Sequence, residues 1–508
     1  MQRRHFLSAF AALSAAGSWP AFALSPEGRA FDNAITSQPW LKPFKGVVDQ
    51  DLRCDALALS GKWPADFRGR FYRNGPALHE RDGQRYHHWF AGDGMVQQFT
   101  FTGGGVGNKA PTVRHLGRLV RTPKLLAEQQ AGKFLYSAYG TKIAGDEPGA
   151  TPTQGPDAFN VANTNAIEHA GRVLAMWEGG SAFALSPDDL ATLGPVTWQE
   201  GLAQMPFSAH PKLDAAGNLW NIGSAGANLV VWHVDAAGKL VRAQIGETPY
   251  PGGMAHDAAI TERYIVLPLP PVKLHFGEDV AGGNAFTYEP NEPLRILVMK
   301  KDDIAQRRVF ELPSQMVFHV GNAHERADGS IALSFVASPT PEFVMRGASS
   351  LMAGHPASFG GSSTRLAVLD MRTGKARVED THDTVEFPRV HPMRNGLATR
   401  YLLTAASWSG GAQRPPWFHG LQWRDLETGR VQRYDYGKHT VVEEHIVVPQ
   451  PGARGELDAW LLGTTFDVAE GVTRVNLLDA RHIADGPIAT ATLPYWLPYG
   501  FHGNFTAA

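Results

Sequence analysis

From about residue 51 to the C-terminus, the chain alternates short apolar runs with turn residues. Strand-forming residues flank each turn, and Asp or Gly stands where a turn needs a side-chain cap or a positive φ. Clear examples are the turns at 214–217, 235–238, 328–329, 370–374 and 425–429. The pattern predicts an all-β fold of many short strands, which is typical of a sandwich, a barrel or a propeller.

Three segments interrupt this rhythm. We expect a helix within residues 121–139, whereas 270–293 and 336–362 are long, apolar and rich in Gly and Pro. Loops of this length are usually functional or disordered. Their aromatic and Met content favours a lid over an apolar pocket. The residues concerned are Phe276, Phe286, Tyr288, Phe343, Met345, Leu351, Met352 and Phe359.

Four histidines lie in short apolar or turn contexts, near the expected ends of strands: His210, His256, His319 and His502. In chain order they are separated by 46, 63 and 183 positions. A propeller blade takes roughly 40–50 residues, so the first two intervals suit one blade each and the last suits about three. The innermost strands of a propeller face a common axis. The spacing therefore favours a seven-bladed propeller closed around an axial metal site.

The residue types agree with a metal site, although any single histidine is more often a surface or core residue. Four neutral imidazoles suit Fe(II), Zn(II) or Cu(II), whereas Mg²⁺ and Ca²⁺ prefer oxygen. A metal-bound histidine normally donates its second N–H to a carboxylate or carbonyl. Glu178, Glu386 and Glu444 stand in apolar strand-like runs where an unpaired buried carboxylate is costly. They are candidates for that role; the alternative is an edge strand with one wet face.

The composition limits the kinds of binding partner that we expect. The chain has 508 residues, of which 43% are hydrophobic, and a net charge of −2. We therefore expect no nucleic-acid partner. Its single Cys54 cannot form an internal disulfide.

The first 23 residues have the features of an export signal. Arg3 and Arg4 precede an apolar run and the sequence Ala21-Phe-Ala23, as in a twin-arginine signal cleaved after Ala23. The alternative is an ordinary secretory signal with a chance Arg pair. No later run reaches the ~18–20 apolar residues that span a bilayer. With the signal removed, we expect residues 24–508 to form one catalytic propeller domain in the periplasm.

Several motifs, in order from about residue 40 to the C-terminus, resemble the carotenoid cleavage oxygenase family. They are Phe71-Tyr-Arg-Asn-Gly-Pro76, His88-Trp-Phe-Ala-Gly-Asp-Gly-Met95, Asn163-Thr-Asn-Ala166, Leu174-Ala-Met-Trp-Glu-Gly-Gly180, Ala209-His-Pro-Lys212, Ala255-His-Asp257, Phe318-His-x-x-Asn-Ala-x-Glu325, Glu386-Phe-Pro388 and Phe501-His-Gly503. The family includes apocarotenoid oxygenases, isomerohydrolases of the retinal pigment epithelium and lignostilbene dioxygenases.

The resemblance implies a seven-bladed propeller with a helical and loop dome, and a non-haem Fe(II) site. Position by position, the iron ligands match His210, His256, His319 and His502, and the carboxylates behind them match Glu178, Glu386 and Glu444. Thr164 matches a residue that crowds an open iron position. Glu443 neighbours Glu444, but strand alternation predicts that only one of the two points inward. Asp93 and His324 are expected to be structural turn residues.

The implied reaction is oxidative cleavage of an alkene double bond by O2 to give two carbonyl products. Four ligands leave up to two positions of an octahedral iron open for O2. No organic cofactor is needed, because iron activates O2 while an apolar tunnel positions the alkene. A non-enzymatic ligand-binding propeller is the weaker alternative.

The substrate class depends on few positions. Stilbene-cleaving members carry a lysine just before the first outer glutamate and a tyrosine on an earlier strand. Here the first position is Trp177, and the second falls at His115 or Leu119. The resemblance therefore favours a carotenoid or apocarotenoid, with a stilbene or other phenylpropenoid as the alternative.

A substrate of this kind partitions into membranes, so an apolar rim of the tunnel is expected to contact a bilayer. The candidates are Leu125, Leu126, Phe134 and Leu135. The alternative is that this segment packs against the propeller.

Overall fold

The computed structural model of the protein describes residues 25–103, 110–145, 155–275, 285–357, 361–408 and 415–508. The predicted export signal and the loop residues Phe276 and Phe359 lie outside these ranges. Among the residues described, no helix combines the length and apolar character needed to cross a bilayer.

The chain forms seven antiparallel sheets of four or five strands each, arranged as the blades of a propeller. The strands are given from the axis outwards, with blades numbered in chain order. Blade 1 has His502–Ala507, Arg68–Leu78, Asp93–Thr102, Val113–Leu119 and Leu52–Cys54; blade 2 has Asn165–His169, Arg172–Met176, Phe183–Leu185 and Thr192–Pro195; blade 3 has Lys212–Leu213, Leu219–Ala225, Asn228–Val234 and Leu240–Glu247. Blade 4 has Ala259–Ile260, Tyr264–Leu269, Leu294–Lys300 and Arg307–Leu312; blade 5 has Met316–Glu325, Ile331–Ser338, Ser363–Leu369 and Ala376–Asp380. Blade 6 has Thr384–Arg389, Tyr401–Ser407, Gly420–Asp425 and Val431–Asp435; blade 7 has Thr440–Pro449, Ala459–Asp467, Val472–Asp479, Pro487–Thr492 and Ala58–Gly61.

Both ends of the propeller sequence close the ring. The last strand, His502–Ala507, pairs with Arg68–Leu78 and becomes the inner strand of blade 1. The early strand Ala58–Gly61 pairs with Pro487–Thr492 as the outer strand of blade 7. The seven-bladed architecture predicted from turn pattern and histidine spacing is thus confirmed. The histidines belong to blades 3, 4, 5 and 1, so the interval of 183 residues does cover three blades.

The core lies between blades, and the middle strands are buried on both faces. In blade 7, Leu461 packs in one apolar cluster with Leu403 and Trp423 of blade 6. Its neighbour Leu462 packs in another cluster with Phe99 of blade 1. Side chains of a strand alternate between faces, so adjacent leucines serve opposite interfaces. Each fully buried leucine contributes about 1.5–3 kcal/mol of apolar burial.

Outside the blades, the described residues form three α-helices: α1 Pro26–Ser37, α2 Pro123–Ala131 and α3 Ala348–Met352. Helix α2 begins at Pro123, where Thr122 Oγ1 accepts the N–H of Leu125, and ends at Gly132 in the left-handed conformation. The predicted helix within 121–139 is therefore real but shorter, because the glycine terminates it. The other helical segments are Pro39–Lys45, Trp89–Ala91, Pro156–Phe159, Phe343–Gly347, Pro392–Arg394 and Ile483–Asp485; two small hairpins pair Glu80–Arg81 with Gln84–Arg85 and Val272–Leu274 with Phe286–Tyr288.

Candidate metal centre

Four histidines meet where the inner strands of blades 1, 3, 4 and 5 begin. Their Nε2 atoms lie 3.1 Å apart between His210 and His256, 3.3 Å between His256 and His319, and 3.1 Å between His319 and His502. One nitrogen from each ring falls in a group whose members are all within 4.8 Å of one another. Each histidine is at most 9% exposed. The structure thus brings together all four histidines that the sequence pointed to.

Three of the rings are held from behind by carboxylates. The Nδ1 of His256 contacts Glu178 Oε1, that of His319 lies 2.5 Å from Glu386 Oε2, and that of His502 lies 2.9 Å from Glu444 Oε1. A carboxylate accepts hydrogen bonds only, so each Nδ1 carries the proton. In the neutral form of these rings, the three Nε2 lone pairs then point at one another without a shared hydrogen.

Converging lone pairs fit a cation. They repel unless a positive charge lies between them, and neighbouring nitrogens on a metal at about 2.1 Å are about 3 Å apart. The observed spacings match that value. The donor set is all nitrogen, which suits a borderline transition metal and disfavours Mg²⁺ and Ca²⁺.

The glutamates are themselves anchored on neighbouring blades. Glu386 belongs to the inner strand of blade 6, and its Oε2 also accepts the N–H of Phe387. Glu444 in blade 7 accepts from Arg389 at 2.9 and 3.0 Å and from the backbone N–H of Gly503. Glu178 follows the second strand of blade 2. These bonds fix Glu386 and Glu444, which in turn fix the tautomer and orientation of the His319 and His502 rings.

Glu443 and Glu444 occupy a β-bulge, since Val442 pairs with Thr465 and His445 with Gly463. Both glutamates are buried, but they have different partners. Glu444 reaches His502, whereas Glu443 forms an ion pair with Arg73 and accepts the N–H of Gly500. The bulge inserts an extra residue in the strand, which allows two consecutive carboxylates to be buried against different parts of the molecule.

Burial keeps two of the imidazoles neutral. It lowers the pKa of His502 to about 4, and it lowers that of His210 well below the ordinary value, with help from the neighbouring histidines. Burial also acts to lower the pKa of His256, but the Glu178 carboxylate outweighs it and the pKa is raised. For Glu444, Arg389 and His502 overcome burial and hold the pKa below its usual range. Neutral rings backed by ionised carboxylates are the form that binds a metal.

An apolar cavity adjoins the histidines. It is lined mainly by aromatic side chains: Trp89, Phe90, Tyr139, Trp177, Phe286, Phe318, Phe343, Phe387 and Phe501. Phe286 and Phe343 come from the two long segments predicted to cover a pocket, and both do line it. Thr164 and Trp177 also line the cavity, and the Thr164 hydroxyl donates to Asn163 Oδ1 at 3.1 Å.

Neither sequence candidate for the second specificity position lines the cavity. His115, in the fourth strand of blade 1, bonds Gln97 and Tyr495, and Leu119 packs in a separate cluster. Tyr139, beyond helix α2, does line the cavity. Its ring stacks on both His88 and Phe286, whose centroids lie 6.0 Å apart, and Trp177 hydrogen-bonds its hydroxyl. No strand period marks Tyr139 in the sequence, because it lies in an irregular loop with a φ of 43°.

Two of the four membrane candidates are core residues. Leu125 and Phe134 are buried in one cluster with Tyr86, whereas Leu126 is 46% exposed and Leu135 is half-buried. The segment thus packs against the propeller, as the alternative stated. The two residues expected in turns both lie in strands: Asp93 begins the strand Asp93–Thr102 and forms a buried ion pair with Lys124 of α2 at 2.9 Å, and His324 pairs with Ala332 within blade 5.

One further buried carboxylate near the histidines was not predicted from the sequence. Asp257 directly follows His256 and lies 3.9 Å from Nδ1 of His210, the histidine that has no glutamate partner among the described residues. Its position next to a candidate ligand was the only available sequence signal.

Known proteins resemble this chain over nearly its whole length. The profile of the Retinal pigment epithelial membrane protein family matches residues 47–507. The apocarotenoid-15,15'-oxygenase of Synechocystis is 31% identical, over 95% of this chain and 98% of its own. The isoeugenol monooxygenase of Pseudomonas nitroreducens is 28% identical, over 88% and 93%. The cobalt-substituted structure of the Synechocystis oxygenase superposes with a TM-score of 0.81 at 29% identity, over 93% of this chain and 99% of that one. This chain therefore belongs to the carotenoid cleavage oxygenases of the Retinal pigment epithelial membrane protein family, and it is an oxygenase.

Proposed function

We propose that the protein binds one Fe(II) through His210, His256, His319 and His502 and cleaves an alkene double bond of an apolar substrate with O2. The observation that carries this proposal is the convergence of imidazole nitrogens beside an aromatic cavity. Fe(II), when bound, would supply the activation of O2. Enzymatic relatives of similar length argue against the alternative of a non-enzymatic propeller.

The protein residues position the alkene and exclude water. Flat rings such as Trp177, Phe318 and Phe501 line the cavity on the side of the histidines, and they suit a flat conjugated chain. Thr164, with its hydroxyl already bonded to Asn163, narrows the space beside the nitrogens. Positioning of this kind contributes to rate by removing the search for a reactive geometry. No acid or base residue is required.

An apocarotenoid is the substrate class that the cavity supports best. The lining is mainly aromatic and apolar, and Trp177 stands where stilbene-cleaving members carry a lysine. A lysine there would activate a phenol, whereas an indole provides an apolar wall. The Synechocystis relative, named an apocarotenoid oxygenase, agrees with this choice.

A phenylpropenoid or stilbene is the second candidate, and Tyr139 favours it. Its hydroxyl is a hydrogen-bonding group within an otherwise apolar wall, close to Trp177 and Glu178. Such a group would bind a phenolic oxygen and hold one end of a short substrate. The Pseudomonas relative is named for isoeugenol, a molecule of this type.

Iron analysis combined with product analysis tests both candidates. Purified protein should contain about one iron per chain, and an apocarotenal under ¹⁸O₂ should give two carbonyl products detected by mass spectrometry. Cleavage of 4-hydroxystilbene alone would establish the second candidate. Protein that binds no iron under reducing conditions would refute the metal site.

We also propose that the protein is exported by the twin-arginine route and acts in the periplasm, on the basis of Arg3 and Arg4. Replacing both by lysine should retain the protein in the cytoplasmic fraction; unchanged export would contradict the route. Exposed Leu126 and half-buried Leu135 support a peripheral membrane contact, which liposome flotation of a Leu126→Ser variant would test.

A further inference from the structure

Asp257 occupies a buried position between the segments that carry three of the four histidines. Its Oδ1 lies 2.8 Å from the ammonium of Lys212 and accepts the N–H of Ala258. Its Oδ2 accepts the backbone N–H of Val320 at 2.8 Å. The residue is only 3% exposed.

These contacts connect the metal centre across three blades. Lys212 is two residues after His210, Asp257 adjoins His256, and Val320 adjoins His319. A single carboxylate therefore ties the chain at each of three proposed ligands. Groups that must hold a geometry within about 0.5 Å depend on such supporting bonds.

The ion pair also affects the charge around the site. Lys212 is a largely buried cation, 17% exposed at the side chain, and it points at the carboxylate that lies 3.9 Å from His210. Glu444 is likewise paired with a cation, Arg389. In the part of the chain that the structure describes, no lysine or arginine forms an ion pair with Glu178 or Glu386. These two carboxylates thus offset the two charges of a divalent ion, provided that Asp257 neutralises Lys212.

We propose that Asp257 is a positioning residue for the metal centre: it holds the segments of His256 and His319 through the backbone N–H groups of Ala258 and Val320, and it neutralises Lys212 beside His210. This inference rests on the proposed metal site. It assigns to Asp257 a role in metal affinity as well as in folding. Loss of its charge leaves Lys212 unpaired beside the ion, which repels it.

The test is Co²⁺ affinity of the full-length protein, measured by chelator competition, together with the visible spectrum of bound Co²⁺. Replacement of an outer residue typically weakens metal binding about 10–100-fold, and we expect this of Asp257→Asn, with an altered spectrum. Adding Lys212→Met should recover most of the lost affinity, because it removes the unpaired cation. Asp257→Asn with unchanged affinity, or a double variant no better than the single, overturns the proposal.

Two further variants separate this role from simple destabilisation. Lys212→Met alone keeps the carboxylate and should bind Co²⁺ at least as tightly as the wild type; a tenfold loss contradicts the proposal, even if Asp257→Asn fails to fold. Asp93→Asn is the matched control, since it breaks a buried aspartate–lysine pair, with Lys124, away from the histidines. It should lower the melting temperature and leave Co²⁺ affinity unchanged; weakening by both aspartate variants alike would overturn the proposal. A wild type without Co²⁺ affinity would refute the metal site itself.

Discussion

The histidine centre and the wall of the adjoining cavity are built by opposite means. Three of the four histidines are fixed by polar bonds to a carboxylate of another blade, such as His319 to Glu386 and His502 to Glu444. The wall consists of aromatic rings, some of them from segments inserted between blade strands, such as Phe286 and Phe343, and these rings meet through apolar edge and stacking contacts. The centre thus depends on a few directional bonds, while the wall depends on shape. We expect changes in the centre to abolish chemistry and changes in the wall to alter substrate preference.

The largest effect should follow loss of a ligand in the centre. His319→Ala removes one of the converging nitrogens, so iron content should fall from about one per chain to background, and cleavage should cease. Elemental analysis and product assays measure both. His324→Ala, on the same strand, is the control and should retain iron. Full metal loading of His319→Ala would contradict the four-histidine site.

Acid should destabilise the fold through His88, a buried histidine that packs against Tyr139 of the cavity wall. Burial lowers the pKa of His88 to about 4, while its Nε2 bonds Val344 O. In the unfolded chain the His88 imidazole takes up a proton below about pH 6.5, whereas in the folded chain it does so only near pH 4. The free energy of unfolding therefore falls with pH across this window, by about 3 kcal/mol for His88 alone.

Urea unfolding at a series of pH values measures that slope. His88→Gln should flatten it, whereas replacement of His382, whose side chain is 83% exposed, should not. A slope unaffected by His88→Gln would show that this histidine is not the group responsible.

Carboxylates behind the ligands should have a smaller effect than the ligands themselves. Glu386→Gln keeps the shape but loses the charge that holds Nδ1–H of His319, so iron affinity should weaken about 10–100-fold. Glu443→Gln breaks the buried pair with Arg73 instead. It should lower thermal stability and spare iron affinity, as measured by chelator competition. Equal losses of affinity in the two variants would remove the distinction between them.

The smallest effect should come from the wall. Tyr139→Phe removes one hydroxyl, worth about 1 kcal/mol as a hydrogen bond. We expect kcat/KM for 4-hydroxystilbene to fall roughly fivefold, while that for an apocarotenal changes less than about twofold. Tyr136→Phe in the same loop, which does not line the cavity, is the control. An equal fall for both substrates would assign Tyr139 to packing.

The architecture was predictable because its signals are local. Turn residues recur at blade-like intervals, and strand periodicity is expressed within a few residues. The spacing of His210, His256, His319 and His502 then sufficed to count blades. Apolar strand-like contexts and the family resemblance also identified the glutamates that the structure brings to these histidines.

The tertiary structure alone decided which side chains meet across blades. Sequence could not place Tyr139, because a loop has no period, and it could not show that Leu125 and Phe134 are buried. Nor could it reveal that Asp257 contacts the segments of three histidines, since those contacts join residues more than 40 positions apart. Local pattern determines strands and their faces, but the approach of distant faces depends on the packing of the closed ring. The sequence by itself thus determined the blades and the donor set, and the fold decided the partners of each donor.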